Sequence, residues 1–247
     1  MGIAGRSIRH HLGMTEWRSA AELCNVTDPA WPSIEDQIAA SPLSVEVVSA
    51  EISERAMAIE QVQVTARSAL GALTSECGAL RIDHGWLRIL GAGADGLPSV
   101  RSLTDLIAVH GERFLVVAID VLGGYFAVNG GDLPGAREEV AYWGPDTLTW
   151  TPLELGHGAF VGAMLGGAVS EFYGAMRWRG WEQEVAALPL AYGLSVYPFP
   201  FTKEGQDLGR TSRRPVPLAE LLDLYADMAR QLADLPDDDK FHIEVSE

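Results

Sequence analysis

The sequence predicts an α+β fold: a central, mostly antiparallel sheet flanked by helices and followed by a long C-terminal helix. Three observations lead there. Between positions 79 and 143 the chain is a series of short apolar stretches broken by glycine, asparagine and proline turns, the pattern of a meander. Before and after that region, apolar residues recur at helical spacing. With 247 residues, 47% of them apolar and 21% charged, there is enough chain and enough apolar side chain for a sizeable core.

Taken in order, Thr15 is placed to cap a helix over 16–24 whose inner face is Trp17, Ala20, Ala21 and Cys24. Asp28 and Pro29 read as a cap and first-turn proline for a helix over 29–40, with Trp31, Ile34 and Ile38 on one side and Pro42 as its stop. Val45, Val47 and Val48 form a short strand. A helix over 51–63 turns Ile52, Ala56, Ile59 and Val62 inward. Strands over 79–82 and 86–90 flank Asp83-His84-Gly85, a tight turn. A helix over 102–110 opens with Ser102 and Asp105 at capping-box spacing. Strands follow over 114–119, 125–128 and 140–143, with turns at Gly123-Gly124, Asn129-Gly130-Gly131 and Pro145-Asp146. Helices are expected around Phe160–Leu165, over 170–176 and over 182–188, and a strand over 194–197. The clearest helix is 218–235, with the stripe Leu218, Leu221, Leu222, Tyr225, Met228, Ala229 and Leu232. No internal repeat is visible. Residues 1–14 read as a flexible terminus, 15–235 as one α+β domain, and 236–247 as a flexible acidic tail.

The formal net charge is −16. Such a charge repels phosphate backbones and anionic membrane surfaces, which argues against nucleic-acid and membrane partners, and it speeds encounter with a basic protein. Residues 234–247 hold six acids and one lysine, a charge of −5, so −11 belongs to the rest of the chain. Cys24 and Cys77 are far apart and form no CxxC pair, so the sequence encodes no zinc ribbon and points to a reducing, cytoplasmic setting. No run of about 18 apolar residues is present.

Motifs of catalysis are missing: there is no HExxH, no GxSxG and no Walker loop, and no metal or cofactor is expected. GAGADG at 91–96 does fit GxGxxG, and Asp120 ends the next strand, where a ribose-binding acid belongs. Dinucleotide binding requires the helix to begin inside the glycine motif. Here Pro98 and Val100 intervene, and the glycines read as a flexible surface loop. Asp83 and His84 precede Trp86 and Arg88 in an apolar setting. They read either as a ligand or acid–base pair, or as a turn acid holding backbone N–H groups with the histidine bonded beside it. Arg210, Arg213 and Arg214 form the one basic cluster, suited to an anion or to neighbouring acids. Trp178 and Trp181 belong to the core or line a groove.

Several strings together resemble an uncharacterised bacterial family, domain-of-unknown-function family 2625: DPAWP at 28–32, IDHGWLRILGAG at 82–93, GGYFAVNGG at 123–131, PDTLTW at 145–150, RWRGWEQEV from Arg177, FTKEG from Phe201, and SRRPVP ending at Pro217. The resemblance runs over about 20–233. Cys77-Gly78-Ala79 and Phe201 depart from it, where a small polar residue before two glycines, and a tryptophan, are expected. The order of strands and turns from Phe114 to Leu165 is similar to the centre of the SUKH superfamily, whose bacterial members include immunity proteins against secreted toxins. That similarity implies a SUKH-like core and a non-enzymatic, partner-binding role, and the net charge favours a basic protein such as a toxin as the partner. The other reading is an enzyme or small-molecule-binding protein with a site around Asp83, His84, Trp86, Arg88 and Asp120.

Overall fold

A computed structural model describes residues 17–108 and 111–233. The expected flexible terminus and acidic tail, together with Thr15, Glu16 and His110, lie outside them. The centre is a seven-stranded sheet: β1 (Val45–Val48), β2 (Ala79–Ile82), β3 (Leu87–Leu90), β4 (Phe114–Asp120), β5 (Tyr125–Asn129), β6 (Glu139–Trp143) and β7 (Trp150–Gly156). Each strand pairs antiparallel with the next in sequence, so strand order equals chain order. A two-stranded ribbon, β8 (Tyr192–Tyr197) with β9 (Ser212–Pro217), attaches through the Leu194 amide, which donates to the Val121 carbonyl at 2.7 Å.

Side chains alternate between the two faces of the sheet. One face, with Leu80, Leu87, Ile89, Ala118, Phe126 and Tyr142, packs under α2 (Trp31–Ala40), α4 (Ala69–Glu76), α6 (His157–Ala163), α7 (Val169–Phe172) and α8 (Trp181–Ala186). The other, with Ala79, Leu90, Ile119, Tyr125 and Trp143, packs under α5 (Val100–Ile107) and α9 (Leu218–Ala233). A bulge between Val116 and Ala118 resets the alternation, so that Val117 joins Ala118 on the first face while Val116 and Ile119 stay on the second. Buried Thr104 locks α5 to β4: its hydroxyl donates to the Val100 carbonyl at 2.7 Å and accepts from the Val116 amide at 2.9 Å.

Several boundaries differ from the sequence reading. α1 (Ala20–Cys24) is capped by Ser19, which forms a reciprocal capping box with Glu22. Leu23 is its buried residue, and Trp17 is exposed. α2 begins at Trp31, with Ala30 at its cap and Pro32 in its first turn. In α3 (Ile52–Val62), Ala58 and Ile59 are buried, whereas Ile52, the first residue of the helix, is 74% exposed. α5 is capped by Ser99 and starts two residues before Ser102. Strand β6 begins ten residues after Asn129, and buried Asn129 organises that loop: its amide donates to the carbonyls of Leu133, Gly135 and Ala136, and its oxygen accepts from the amides of Gly131 and Leu133. Residues 91–93 are buried and not a surface loop. The amides of Gly91 and Gly93 both donate to the Gly78 carbonyl at 2.9 Å.

Candidate functional site

The candidate residues fall into three groups, and the geometry of each follows from its element. Asp83, His84 and Gly85 all have positive φ (54°, 60° and 94°), the left-handed region that Asp, His and Gly tolerate best. Ser44 holds this turn: its carbonyl accepts from the Asp83 amide and its hydroxyl from the His84 amide, both at 2.7 Å. The turn aims Trp86 into the first face of the sheet, where it is fully buried. Segment 177–185 closes over it. Trp181 meets Trp86 edge-on at 5.2 Å, Trp178 lies at 5.5 Å and Tyr173 at 5.5 Å. His84 meets Trp181 edge-on at 5.7 Å.

Two arginines fasten this cluster. Arg177 lies over the Trp181 ring at 4.2 Å and forms an ion pair with Asp83. Arg213, brought by β9, lies over Trp178 at 4.2 Å and pairs with Glu184 at 3.2 Å. Glu184 also accepts from the Trp178 indole N–H at 2.7 Å. The result is a clamp of three tryptophans between two acid–arginine pairs. Trp178 and Trp181 are only 6% and 8% exposed, so they are core residues of this clamp and do not line an open groove. Its carboxylates and guanidiniums answer one another, while the His84 imidazole at its edge is exposed.

Asp120 lies at the end of β4 on the same face and is completely buried. Its carboxylate accepts from the hydroxyls of Tyr142 (2.9 Å) and Tyr173 (3.0 Å) and from the amides of Leu122 (2.8 Å) and Gly124 (2.9 Å). Burial raises its pKa to about 6, against the opposing pull of those four donors. Gly124 is dictated by this network, because a Cβ there would collide with the Tyr142 hydroxyl and the Asp120 carboxylate.

Arg88 stands apart from both. It pairs in register with Arg81 and Ile119 and therefore lies on the second face, opposite Asp120. Arg214 is exposed on β9, and Arg210 pairs with Asp207 at 3.5 Å at the surface. The structure thus joins Asp83, His84, Trp86, Trp178, Trp181 and Arg213, places Asp120 beside them through Tyr173, and separates Arg88 and Arg214. Sequence reasoning missed Arg177, Glu184, Tyr142 and Tyr173. Arg177 and Glu184 stand in the same string as the two tryptophans. Cys77 is buried, and burial pushes its thiol up to about 12, which removes it as a nucleophile. Among the described residues no group of three His, Cys, Asp or Glu side chains is arranged to hold a metal ion, and no helix is long and apolar enough to cross a membrane.

A cavity of about 200 Å³ lies beside the Asp83–Gly85 turn, lined by Ser44, Glu46, Arg81, His84, Gly85 and Ala186, and wider space lies on the second face. A cavity of about 620 Å³ separates α5 from α9. Tyr125 and Trp143 are stacked on its floor, with centroids 5.2 Å apart and planes 17° from parallel. Leu106 and Ile107 form one wall, and Asp223, Asp227 and Arg230 the other. Asp227 is paired with Arg230, whereas Asp223 is exposed with no hydrogen-bond or ion-pair partner among the described residues.

A model of the family described as "Protein of unknown function DUF2625" matches residues 20–221, most of the chain. The chain belongs to the DUF2625 family. It is 36% identical over 212 residues to the Escherichia coli K12 protein named "Putative uncharacterized protein YbfG", an alignment covering 85% of this chain and 97% of that protein. It is 33% identical over 174 residues to an uncharacterized protein of Haemophilus influenzae strain Rd, covering 68% of this chain and 75% of that one. No solved structure matches.

The strings that resemble DUF2625 acquire physical meaning on this fold. DHGW at 83–86 and RWRGWEQEV from Arg177 are the two halves of the tryptophan clamp. SRRPVP supplies Arg213 to it, and GGYF carries the Gly124 that the Asp120 network requires.

Proposed function

We propose that this DUF2625 protein is a non-enzymatic, cytoplasmic binding protein that takes a basic segment of a partner protein into the α5–α9 cavity, as an immunity-type factor does when it neutralises a toxin. The observation that carries the reading is the cavity itself. Its stacked Tyr125–Trp143 floor lies beside the unpaired carboxylate of Asp223, while the ionised groups of the tryptophan clamp are spent on one another. A lysine or arginine side chain suits such a place: its stem lies on apolar walls, its charge is attracted to ring faces by roughly 0.5–2 kcal/mol, and Asp223 is at the rim. A net charge of −16 accelerates the approach of a basic partner. The SUKH-like order of strands in the sequence supports the immunity-type role. Cys24 and Cys77 are both free thiols, which supports the cytoplasmic setting.

The test is calorimetric titration of the full chain with short oligo-arginine and oligo-lysine peptides, beside an oligo-glutamate control of equal length, at two salt concentrations. Binding of the basic peptides that weakens with salt and falls at least tenfold in Asp223→Lys is expected. Equal binding by wild type and Asp223→Lys would remove the cavity from the explanation. Co-expression with toxins encoded beside the gene then tests the biological half of the proposal, where protection of the cell is the expected outcome and its absence counts against an immunity role.

A further inference from the structure

We infer that Arg88 marks a second binding site, one that receives the anionic group of a small apolar acid on the second face of the sheet. Arg88 is completely buried, and none of its three guanidinium nitrogens has a hydrogen-bond partner. A guanidinium presents five N–H donors, and enclosing it without partners costs several kcal/mol. Burial, with the nearby positive charge of Arg81, lowers its pKa to about 10, so it stays charged at neutral pH. The register neighbours do not neutralise it. Arg81 on β2 has the same sign and is engaged with Glu46 at 3.3 Å and the Ala186 carbonyl at 2.9 Å. Ile119 on β4 is apolar. Asp120, on the opposite face, offsets part of this lowering through space but makes no bond to Arg88, being saturated by four donors of its own.

The chemistry of the expected ligand comes from what lies next to Arg88 in the sheet. Ile119, one strand spacing of about 5 Å away, borders a separate cavity of about 270 Å³. Its other walls include Leu97, Leu103, Leu106, Tyr192 and Leu218, all but one of them purely apolar. This volume is just below the usual range for ligand cavities, so the ligand must be small. A cation without a partner beside a small apolar space is the complement of a monocarboxylate with a short hydrocarbon or aromatic body. The carboxylate takes the guanidinium in a bidentate pair, and the body occupies the space over Ile119. Arg88 does not itself line the cavity; it is the register neighbour of Ile119, which does, so binding requires a local shift that brings head group and guanidinium together. This site is independent of the basic-partner reading: the two cavities have only Leu106 in common.

The experiment is thermal unfolding of the full chain at constant ionic strength and pH, with benzoate, octanoate, phosphate or chloride as the added sodium salt. The variants are Arg88→Met, which removes the charge, Arg88→Lys, which keeps it without the planar fork, and Ala219→Phe, which fills the cavity from its exposed rim. Benzoate or octanoate is expected to raise the wild-type Tm progressively, as mass action requires, with no comparable rise in phosphate or chloride. That rise should vanish in Arg88→Met and Ala219→Phe, and the affinity read from it should fall about tenfold or more in Arg88→Lys. If Arg88→Met does not fold, Arg88→Lys and Ala219→Phe decide. An equal rise in phosphate or chloride would show a bare anion pocket and overturn the apolar-acid assignment. No rise with any salt, or a rise unchanged in the variants, would overturn the site altogether.

Discussion

Tyr173 donates its hydroxyl proton to Asp120 at 3.0 Å across 53 positions of chain, and the same tyrosine ring packs against Trp86 at 5.5 Å. One side chain therefore connects the buried carboxylate of the sheet to the tryptophan clamp.

This connection has a pH signature. Folded Asp120 keeps its proton up to about pH 6, whereas an aspartate in the unfolded chain releases it near 3.8. The folded state thus binds more protons between those values. Its stabilising contribution is complete below about pH 3.8 and is lost as pH rises through 6, a difference of ~3 kcal/mol. Asp120→Asn carries no such penalty, so its stability relative to wild type should improve by about that amount between pH 4 and pH 7.5. Tyr173→Phe removes a donor to the charged form, raises the Asp120 pKa further, and costs about 1–2 kcal/mol more at pH 7.5 than at pH 4. Urea unfolding of the three proteins at both pH values checks the sign, and parallel pH profiles would refute it.

Gly124→Ala should destabilise by about 2–3 kcal/mol, because the new methyl group must displace either Tyr142 or Asp120 from a sealed network. Chemical denaturation measures the loss. An alanine tolerated at wild-type stability would mean that the hydroxyl and carboxylate are not held where they are described.

Arg177→Met should cost about 3–5 kcal/mol, since it leaves the buried carboxylate of Asp83 without its partner. Asp83→Asn in the same chain should recover part of that loss. A double-mutant cycle gives the coupling energy directly, and a value near zero would separate the ion pair from the clamp.

Ile52→Ser should change stability by no more than about 0.5 kcal/mol, because Ile52 is largely exposed. Ile59→Ala, on the same helix but fully buried, should cost roughly 2–4 kcal/mol. Melting curves of the two variants distinguish the observed burial from the one that apolar spacing alone suggests.

The sheet was legible where apolar stretches stood between clear turns, as at β2, β3, β4 and β5, and α9 was legible from its unbroken stripe. β9 was hidden because SRRPVP has two prolines and no alternation. It is tolerated in a two-stranded ribbon, where a missing N–H is not needed on both sides. α4, over ALGALTSE, lacks strong periodicity and is specified by burial between α2 and the sheet, which spacing does not reveal. The cap of α1 was present as Ser19 with Glu22 three residues on, a better box than Thr15 offered. Of the site, Asp83 and Trp86 were visible as an unusual turn, but Arg177 is 94 positions from Asp83. A pair formed by the fold at that separation leaves no local trace. The buried state of Arg88 was equally hidden, because the alternation of β3 places an arginine on a covered face where a polar-outward reading would leave it wet.

Every strand of the seven-stranded sheet pairs with its neighbour in sequence, so the sheet can assemble by successive additions, each bringing together segments already close along the chain. The clamp instead closes the long loop between Asp83 and Arg177, and loop closure of that kind is rewarded only after its ends are held. In kinetic terms the meander is expected on the early side of the folding barrier and the clamp on the late side. Arg177→Met is therefore expected to speed unfolding while leaving the refolding rate near that of wild type, as stopped-flow chevron plots would register. The tryptophan clamp would then act as a latch on the finished molecule, setting how long it stays folded more than how fast it gets there.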